Sequence, residues 1–272
     1  MCSEEENDVL LQGSYEGSSF FDLLQHNFPH LLPFQHLPQL PASELHLLQA
    51  VPFATTILAL CCTDGVVVAG DRQATEGFEV SSRRIEKVHN ADAHSVIAIA
   101  GAAGPCLEMV KLFQVEMEHY QKIEGDGLAL DGKANKLAQM VKQNLPAAFQ
   151  GLIVIPIFAG YDLRARKGRI FKYDVTGGRY EEHEFYATGS GGKEARSTLK
   201  KFFKPDLSRD AALRLALEAL IDAADLDVGT AGPDLARGIY PQVKIITSEG
   251  VTDVSITELR PLSEELLATL KG

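Results

Sequence analysis

The order of the apolar segments predicts an α+β protein, a four-layer α-β-β-α sandwich in which two antiparallel sheets are flanked by helices. Strands come in adjacent pairs, two long helical segments follow them, and the chain then repeats that order. The apolar runs are continuous rather than alternating, which indicates strands that are buried on both faces. A doubly wound parallel sheet needs strict alternation of strand and helix, and this chain does not show it.

The first half of the chain opens with two predicted strand pairs. Residues 55–62, "TTILALCC", and 65–71, "GVVVAGD", flank an Asp-Gly turn that favours a hairpin. The next two strands are predicted at residues 83–90 and 95–101.

Helical segments follow at residues 104–123 and 132–150. Pro105 suits the first turn of the first helix, where its missing N–H costs no hydrogen bond. A third strand pair is then predicted at 151–162 and 169–175, joined by a charged turn.

The second half closes with helices at residues 191–203 and 208–225, the latter with Ser208 as its N-cap. A hairpin at 242–255 and a short helix at 262–271 complete the predicted order.

Composition excludes several classes of protein. The 272 residues carry a net charge of −11, whereas a nucleic-acid groove needs a basic stripe. The longest apolar run, 151–160, is too short to span a membrane, and no basic secretory signal opens the chain. The four cysteines form no disulfide or zinc pattern, so a reducing, cytoplasmic location is expected.

The leading segment, residues 1–54, differs from the rest of the chain. It has no Lys or Arg, seven acidic residues and five of the twelve prolines. We interpret it as an extension that lies against another surface, with a short helix near "SSFFDLLQH". His26 and His30 stand four apart, but no further ligands follow at a metal-site spacing, so no metal is predicted.

Two other motifs are candidates for reactive sites. "ATGSGGKEA" at 187–195 lacks the first Gly and the final Ser or Thr of a phosphate loop, so no nucleotide cofactor is predicted. Cys106 follows "GAAGP" just inside a predicted helix, where a thiol can be acidified, but the favoured interpretation is a small buried hydrophobe.

The pair Thr55–Thr56 allows a third chemistry. A threonine at a free N-terminus carries its own α-amine, whose pKa of roughly 7.7–8.0 suits a general base for the adjacent hydroxyl. Such a site also needs a cation, an anion to hold that cation, and an oxyanion-binding amide. Asp71 in "GDRQAT", Lys87 in "IEKV" and Gly101 in "IAGAAG" supply these three groups. Alternatively, each of these residues is an ordinary strand former or a solvated charge.

From Thr55 to about its end, the chain resembles the β-subunits of bacterial, actinobacterial-type 20S proteasomes, which are threonine proteases of the N-terminal nucleophile hydrolase family. The resemblance rests on "TTILAL", "GVVVAGDRQAT", "EKV", "IAGAAG", "GKANKLAQMV", "NLPAAFQGL", "YDVTGGRYEE", "TGSGG" and "GPDLARGIYP". It implies that residues 1–54 are a propeptide removed by self-cleavage between Ala54 and Thr55, and that 55–272 are the catalytic domain.

The resemblance also implies a role for each matching residue. Thr55 is the nucleophile, Lys87 lowers the pKa of its site, Asp71 pairs with Lys87, and the Gly101 amide stabilises the oxyanion. The supporting group that orders the threonine corresponds to three further residues: Ser190, Asp227 and Thr230.

For the substrate, the resemblance implies that the backbones of Thr75, Gly101 and Ala103 pair with an extended peptide. It also implies a first specificity pocket lined by four apolar residues, which predicts cleavage after hydrophobic residues. These residues are Ala74, Ile85, Ile99 and Ala103.

Two departures from the family pattern keep other hypotheses open. Ala54 replaces the usual Gly before the threonine, and "DLDVGTAG" at 225–232 replaces the usual D-x-x-S-G-G run. The alternatives are a silent ring subunit that keeps its propeptide, and a subunit of a simpler two-ring bacterial protease. The implied partners are a seven-membered β ring, proteasome α-subunits, a ring-shaped ATPase unfoldase and unfolded protein substrates, with no nucleic acid or membrane.

Overall fold

A computed structural model describes residues 55–76 and 79–269 of the chain, with Glu76 described by its backbone alone. The predicted propeptide, its short helix and Ala54 lie outside the described residues, as does the end of the last predicted helix.

The first sheet has five antiparallel strands in the order β10-β1-β2-β11-β12. Its strands are β1 (Thr56–Cys62), β2 (Gly65–Gly70), β10 (Phe185–Gly189), β11 (Gln242–Thr247) and β12 (Gly250–Asp253). The register pairs Ile57 with Gly70 on one side and with Thr188 on the other, so β1 lies between two neighbours.

The second sheet also has five antiparallel strands, in the order β5-β6-β7-β8-β9. These are β5 (Val88–Asp92), β6 (Ser95–Gly101), β7 (Val154–Asp162), β8 (Lys167–Tyr173) and β9 (Arg179–Glu182). A separate two-stranded hairpin, β3 (Ala74–Glu76) and β4 (Glu79–Ser82), follows β2.

Six helices complete the described part of the chain. They are α1 (Ala103–Glu124), α2 (Leu130–Gln143), α3 (Leu145–Ala148), α4 (Gly192–Phe202), α5 (Arg209–Leu226) and α6 (Ile256–Thr269). Ser208 caps α5 as predicted, because its side chain accepts a hydrogen bond from the backbone N of Ala211.

Three apolar clusters separate four layers. One cluster lies between the two sheets and joins residues such as Ile57 and Val68 to Val96 and Ile157. A second packs α4, α5 and α6 against the outer face of the first sheet, and a third packs α1 and α2 against the second sheet. The predicted α-β-β-α sandwich of antiparallel sheets is therefore confirmed.

Several predicted boundaries were wrong. The third strand begins at Val88 rather than residue 83, because the Gln242 side-chain oxygen accepts hydrogen bonds from the backbone N atoms of Lys87 and Val88. The second helix divides after residue 143, next to Pro146, which has no N–H for the helical hydrogen bond. The last helix begins at Ile256, before the predicted start, and includes Pro261.

Within residues 55–76 and 79–269, the helices are either too short or too polar to cross a bilayer.

Candidate active site

The site forms where β1 begins beside the end of β10. Thr55 immediately precedes β1, is buried, and accepts a hydrogen bond through its carbonyl from the backbone N of Ser190 at 2.8 Å. Gly189, at φ +102°, makes this approach possible, since a Cβ there would lie 1.8 Å from the Thr55 carbonyl oxygen. The backbone therefore fixes Thr55 against Ser190.

A buried ion pair lies next to the start of β1. The Lys87 ammonium donates to Asp71 Oδ1 at 2.6 Å, and both side chains are almost fully excluded from solvent. Three backbone N–H groups complete the carboxylate's shell: Thr56 on Oδ1 at 2.8 Å, and Gln73 and Ala231 on Oδ2 at 2.9 and 3.3 Å. Asp71 is thus held by a donor two residues along its own segment, Gln73, and by donors from three other segments of the chain.

Burial lowers the pKa of Lys87, while the charge of Asp71 and the hydrogen bond to it act in the opposite direction. Lys87 is the cation that the sequence predicts for the site, and Asp71 is the predicted anion that pairs with it.

A second network carries the predicted supporting group. Ser190 Oγ and Thr230 Oγ1 each donate to Asp227 Oδ2 at 2.5 Å. Ser190 Oγ also lies 3.3 Å from the Thr55 backbone N, which donates to it. The structure therefore brings together the six predicted residues of the reactive group, with Thr55 joined through its backbone and the ion pair joined through the backbone N of Thr56. These residues are Thr55, Asp71, Lys87, Ser190, Asp227 and Thr230.

Sequence reasoning missed two residues that join this arrangement. The Thr56 hydroxyl lies 2.6 Å from Thr230 Oγ1 and accepts from the backbone N of Gly191 at 2.9 Å. The Gln73 side-chain N donates to the Val228 carbonyl at 3.0 Å, which holds the loop around Asp227. The sequence did contain a signal for Thr56, because it is a polar residue in an apolar strand. Its side chain should point to the opposite face of the strand from that of Thr55.

Gly101, the predicted oxyanion donor, ends β6 at φ +132°. A Cβ at this position would lie 2.0 Å from the Ile153 carbonyl oxygen, so the bend requires glycine. Two residues earlier on the strand, the backbone N of Ile99 donates to the Lys87 carbonyl at 2.9 Å. Strand β6 therefore ends beside the segment that carries the buried lysine.

The predicted substrate residues lie on segments next to the ion pair. Ala74 and Thr75 are half-buried on β3, three and four residues after Asp71. Ile85 donates its backbone N to the Arg72 carbonyl at 3.1 Å, and Ala103 is exposed at the start of α1.

Cys106 is a poor candidate for a nucleophile. Burial raises the pKa of its thiol to about 12, against a smaller opposing effect of Lys87. The structure favours the small buried hydrophobe over the acidified thiol.

Comparison with known proteins assigns the chain to a family. The sequence model of the family described as "Proteasome subunit" matches residues 51–234. The chain belongs to the proteasome subunit family.

Curated relatives place it near bacterial β-subunits of proteasomes. A "Proteasome subunit beta" of Acidimicrobium ferrooxidans is 54% identical over 216 residues, covering 79% of this chain and 79% of the relative. Proteins of the same description from Frankia casuarinae and Acidothermus cellulolyticus are 49% and 50% identical, each over 92% of this chain and 90% and 87% of their own lengths. The last two alignments cover more of the chain than residues 55–272 alone, so they include part of residues 1–54.

Proposed function

We propose that this chain is the proteolytic β-subunit of a bacterial proteasome core particle, a threonine-type endopeptidase with Thr55 as its N-terminal nucleophile. Proteasome β-subunits are, as a class, proteases. The observation that carries the proposal is the convergence of two networks at the start of β1: the Ser190–Asp227 network reaches the Thr55 N, and the buried Lys87–Asp71 pair reaches the Thr56 N.

The proposed reaction begins when the Thr55 hydroxyl attacks the carbonyl carbon of the scissile peptide bond. The hydroxyl proton passes to the free α-amine, which acts as general base. The positive charge of Lys87 favours the developing alkoxide, and Asp71 balances that charge in the buried pair.

The tetrahedral intermediate places a negative charge on the former carbonyl oxygen, where the Gly101 N–H is proposed to donate. A single donor of this kind typically contributes about 3–4 kcal/mol. When the intermediate collapses, the C–N bond breaks and the leaving amine takes the proton from the α-ammonium. A water molecule then hydrolyses the Thr55 ester and restores the hydroxyl.

Maturation must come first, because the Thr55 nitrogen is an amide until the preceding bond is cut, and an amide nitrogen is not a general base. We propose that the Thr55 hydroxyl attacks the Ala54 carbonyl carbon, which moves the acyl group from nitrogen to oxygen. The C–N bond breaks in this shift and the nitrogen takes up the hydroxyl proton, which frees the amine. Water then hydrolyses the ester, restores the Thr55 hydroxyl and releases residues 1–54 as the propeptide. Ala54, where the family usually has Gly, is proposed to slow this step.

The proposed specificity pocket lies beside β3 and β6. The four predicted pocket residues, Ala74, Ile85, Ile99 and Ala103, are all apolar, so hydrophobic residues before the cut are favoured over acidic ones. The backbone of β3 is proposed to pair with the extended substrate.

The proposed setting is the cytoplasm, with seven β-subunits in a ring between α-subunits and an ATPase unfoldase that feeds unfolded proteins. Exposed apolar residues on the outer face of α1 support burial against other subunits. Among them are Leu112, Val115 and Ile123.

The test is peptide hydrolysis by the chain co-assembled with the α-subunit of its own organism. Fluorogenic peptides with Leu or Glu before the cut are compared, using wild type, Thr55→Ala, and Thr63→Ala as an exposed control in the β1–β2 turn. We expect rapid cleavage after Leu, at least about tenfold slower cleavage after Glu, and no cleavage by Thr55→Ala. Equal rates for both peptides would remove the pocket assignment, and an active Thr55→Ala would remove the nucleophile.

A further inference from the structure

We propose that Thr56 is a positioning residue, whose buried hydroxyl sets the direction of the hydrogen bonds that aim Ser190 at the Thr55 nitrogen. The inference rests on the proposed threonine protease function and extends it to a residue with no direct role in the chemistry. Thr56 is fully buried. Its backbone binds Asp71 of the ion pair, and its side chain contacts Thr230 of the supporting group.

The two contacts of Thr56 differ in kind. Its backbone N donates to Asp71 Oδ1 at 2.8 Å, on the oxygen that also receives the Lys87 ammonium. Its hydroxyl lies 2.6 Å from Thr230 Oγ1 and accepts from the Gly191 N at 2.9 Å. One residue therefore ties the ion pair to the supporting group.

Proton counting fixes the direction of these bonds. A hydroxyl has one proton to donate, and an ionised carboxylate only accepts. Thr230 gives its proton to Asp227 Oδ2, so the Thr56 hydroxyl must be the donor in the 2.6 Å contact with Thr230. The bonds then run in one direction, from Gly191 N–H through Thr56 and Thr230 to Asp227.

Ser190 is oriented from the other side of the same carboxylate oxygen. It gives its single proton to Asp227 Oδ2 at 2.5 Å, which leaves a lone pair of Ser190 Oγ facing the Thr55 nitrogen 3.3 Å away. After maturation, that lone pair accepts an amine N–H and leaves the nitrogen lone pair for the Thr55 hydroxyl proton.

Loss of the Thr56 hydroxyl would disturb both ends of this chain of bonds. Gly191 would keep a buried N–H without an acceptor, and Thr230 would lose its donor. The backbone of Gly191 is packed closely against both hydroxyls, because a Cβ on Gly191 would lie 2.8 Å from Thr56 Oγ1 and from Thr230 Oγ1. Since Gly191 follows Ser190 directly, a shift of its backbone moves the Ser190 hydroxyl.

Thr56 acts away from the substrate. Successive side chains on a strand point to opposite faces, so Thr55 and Thr56 do not both face the peptide. Removing the Thr56 hydroxyl should therefore lower kcat and leave KM nearly unchanged.

The experiment compares Thr56→Val, which keeps the shape but removes the hydroxyl, with Thr56→Ser, which keeps the hydroxyl. Thr198→Val is the matched control, since Thr198 is a buried threonine on α4 whose hydroxyl donates to Asp222 at 2.6 Å. Each variant is assembled with the α-subunit, its N-terminus is verified by mass, and kcat and KM are measured with the Leu peptide.

We expect Thr56→Val to lower kcat about tenfold or more, with KM within about twofold, because a buried donor is left unsatisfied. Thr56→Ser and Thr198→Val should stay within about threefold of wild-type kcat. A Thr56→Val/Thr230→Val double variant should lose little more than either single variant, since both interrupt the same bonds.

Wild-type kcat in Thr56→Val, or an equal loss in Thr56→Ser, would overturn the positioning role while the protease function stands. An inactive wild type would instead reject the protease function and this inference with it. If Thr56→Val does not assemble, Thr56→Ala, which also lacks the hydroxyl and adds no bulk, takes its place under the same criteria.

Discussion

At the scale of the residue, Asp71 determines the geometry of the site. Its two carboxylate oxygens receive one ammonium and three backbone N–H groups in a position that is closed to solvent. Removal of this buried carboxylate would leave four donors without an acceptor.

The buried ion pair makes a prediction about stability. Lys87→Met is expected to lower the free energy of unfolding by about 3–5 kcal/mol, because it leaves the Asp71 charge buried without its counter-ion. Urea unfolding of the full chain measures this change.

Lys122→Met is the control for that prediction. Its pair with Glu118 lies on the exposed face of α1, so the substitution should change the free energy of unfolding by less than about 1 kcal/mol. If Lys87→Met and Lys122→Met lowered the free energy of unfolding by similar amounts, the buried pair would not have the stabilising role predicted for it.

At this scale, the sequence predicted candidate reactive residues that lie close together in the structure, but it did not predict all of their partners. Thr55, Asp71 and Lys87 stand next to strand ends, and Asp71 binds both Lys87 and the backbone N of Thr56, the residue after Thr55. Their catalytic roles remain predictions. Thr56 and Gln73 were missed because their partners, Thr230 and Val228, are more than 150 residues away along the chain.

At the scale of the element, the pairing of β1 with β10 positions Thr55, the proposed nucleophile. The register aligns Thr56 with Gly189, and the next residue, Ser190, donates its backbone N to the Thr55 carbonyl. This local arrangement depends on a glycine at φ +102°.

Gly189→Ala is therefore expected to displace Thr55 and abolish peptide hydrolysis. The new Cβ would meet the Thr55 carbonyl oxygen at 1.8 Å, in a backbone conformation that alanine rarely adopts. We expect the free energy of unfolding to fall by at least about 2 kcal/mol, measured by urea unfolding beside the peptide assay.

Gly104→Ala provides the contrast. Gly104 lies in α1 with open space around its Cβ position, so alanine should increase stability by at most about 1 kcal/mol. A Gly189→Ala variant with normal activity and stability would show that the β1–β10 register does not position the nucleophile.

Element boundaries were less predictable than element types. Residues 83–87 were predicted to begin the third strand, but the Gln242 side chain from β11 takes the backbone hydrogen bonds of Lys87 and Val88. Strands β9 and β10 were not predicted, since neither gives a continuous apolar run. The residues of β9 are exposed or half-buried, and the buried residues of β10 are only Ala187 and Thr188.

At the scale of the whole molecule, the four layers follow from continuous apolar strands that must be covered on both faces. The inner faces of the sheets pack on each other, and the helices cover the outer faces. This level was predictable because it depends on the order of the elements rather than on their ends. Assembly with other subunits could not be worked out in the same way, because the partners lie outside this chain.

The central claim is that residues 1–54 are removed to give Thr55 a free amine. The most direct test is the mass and N-terminal sequence of the chain after co-assembly with its α-subunit. We predict a new N-terminus at Thr55, and an uncut chain in Thr55→Ala. A wild-type chain that assembles and still begins at Met1 or Cys2 would contradict the account and favour a silent ring subunit.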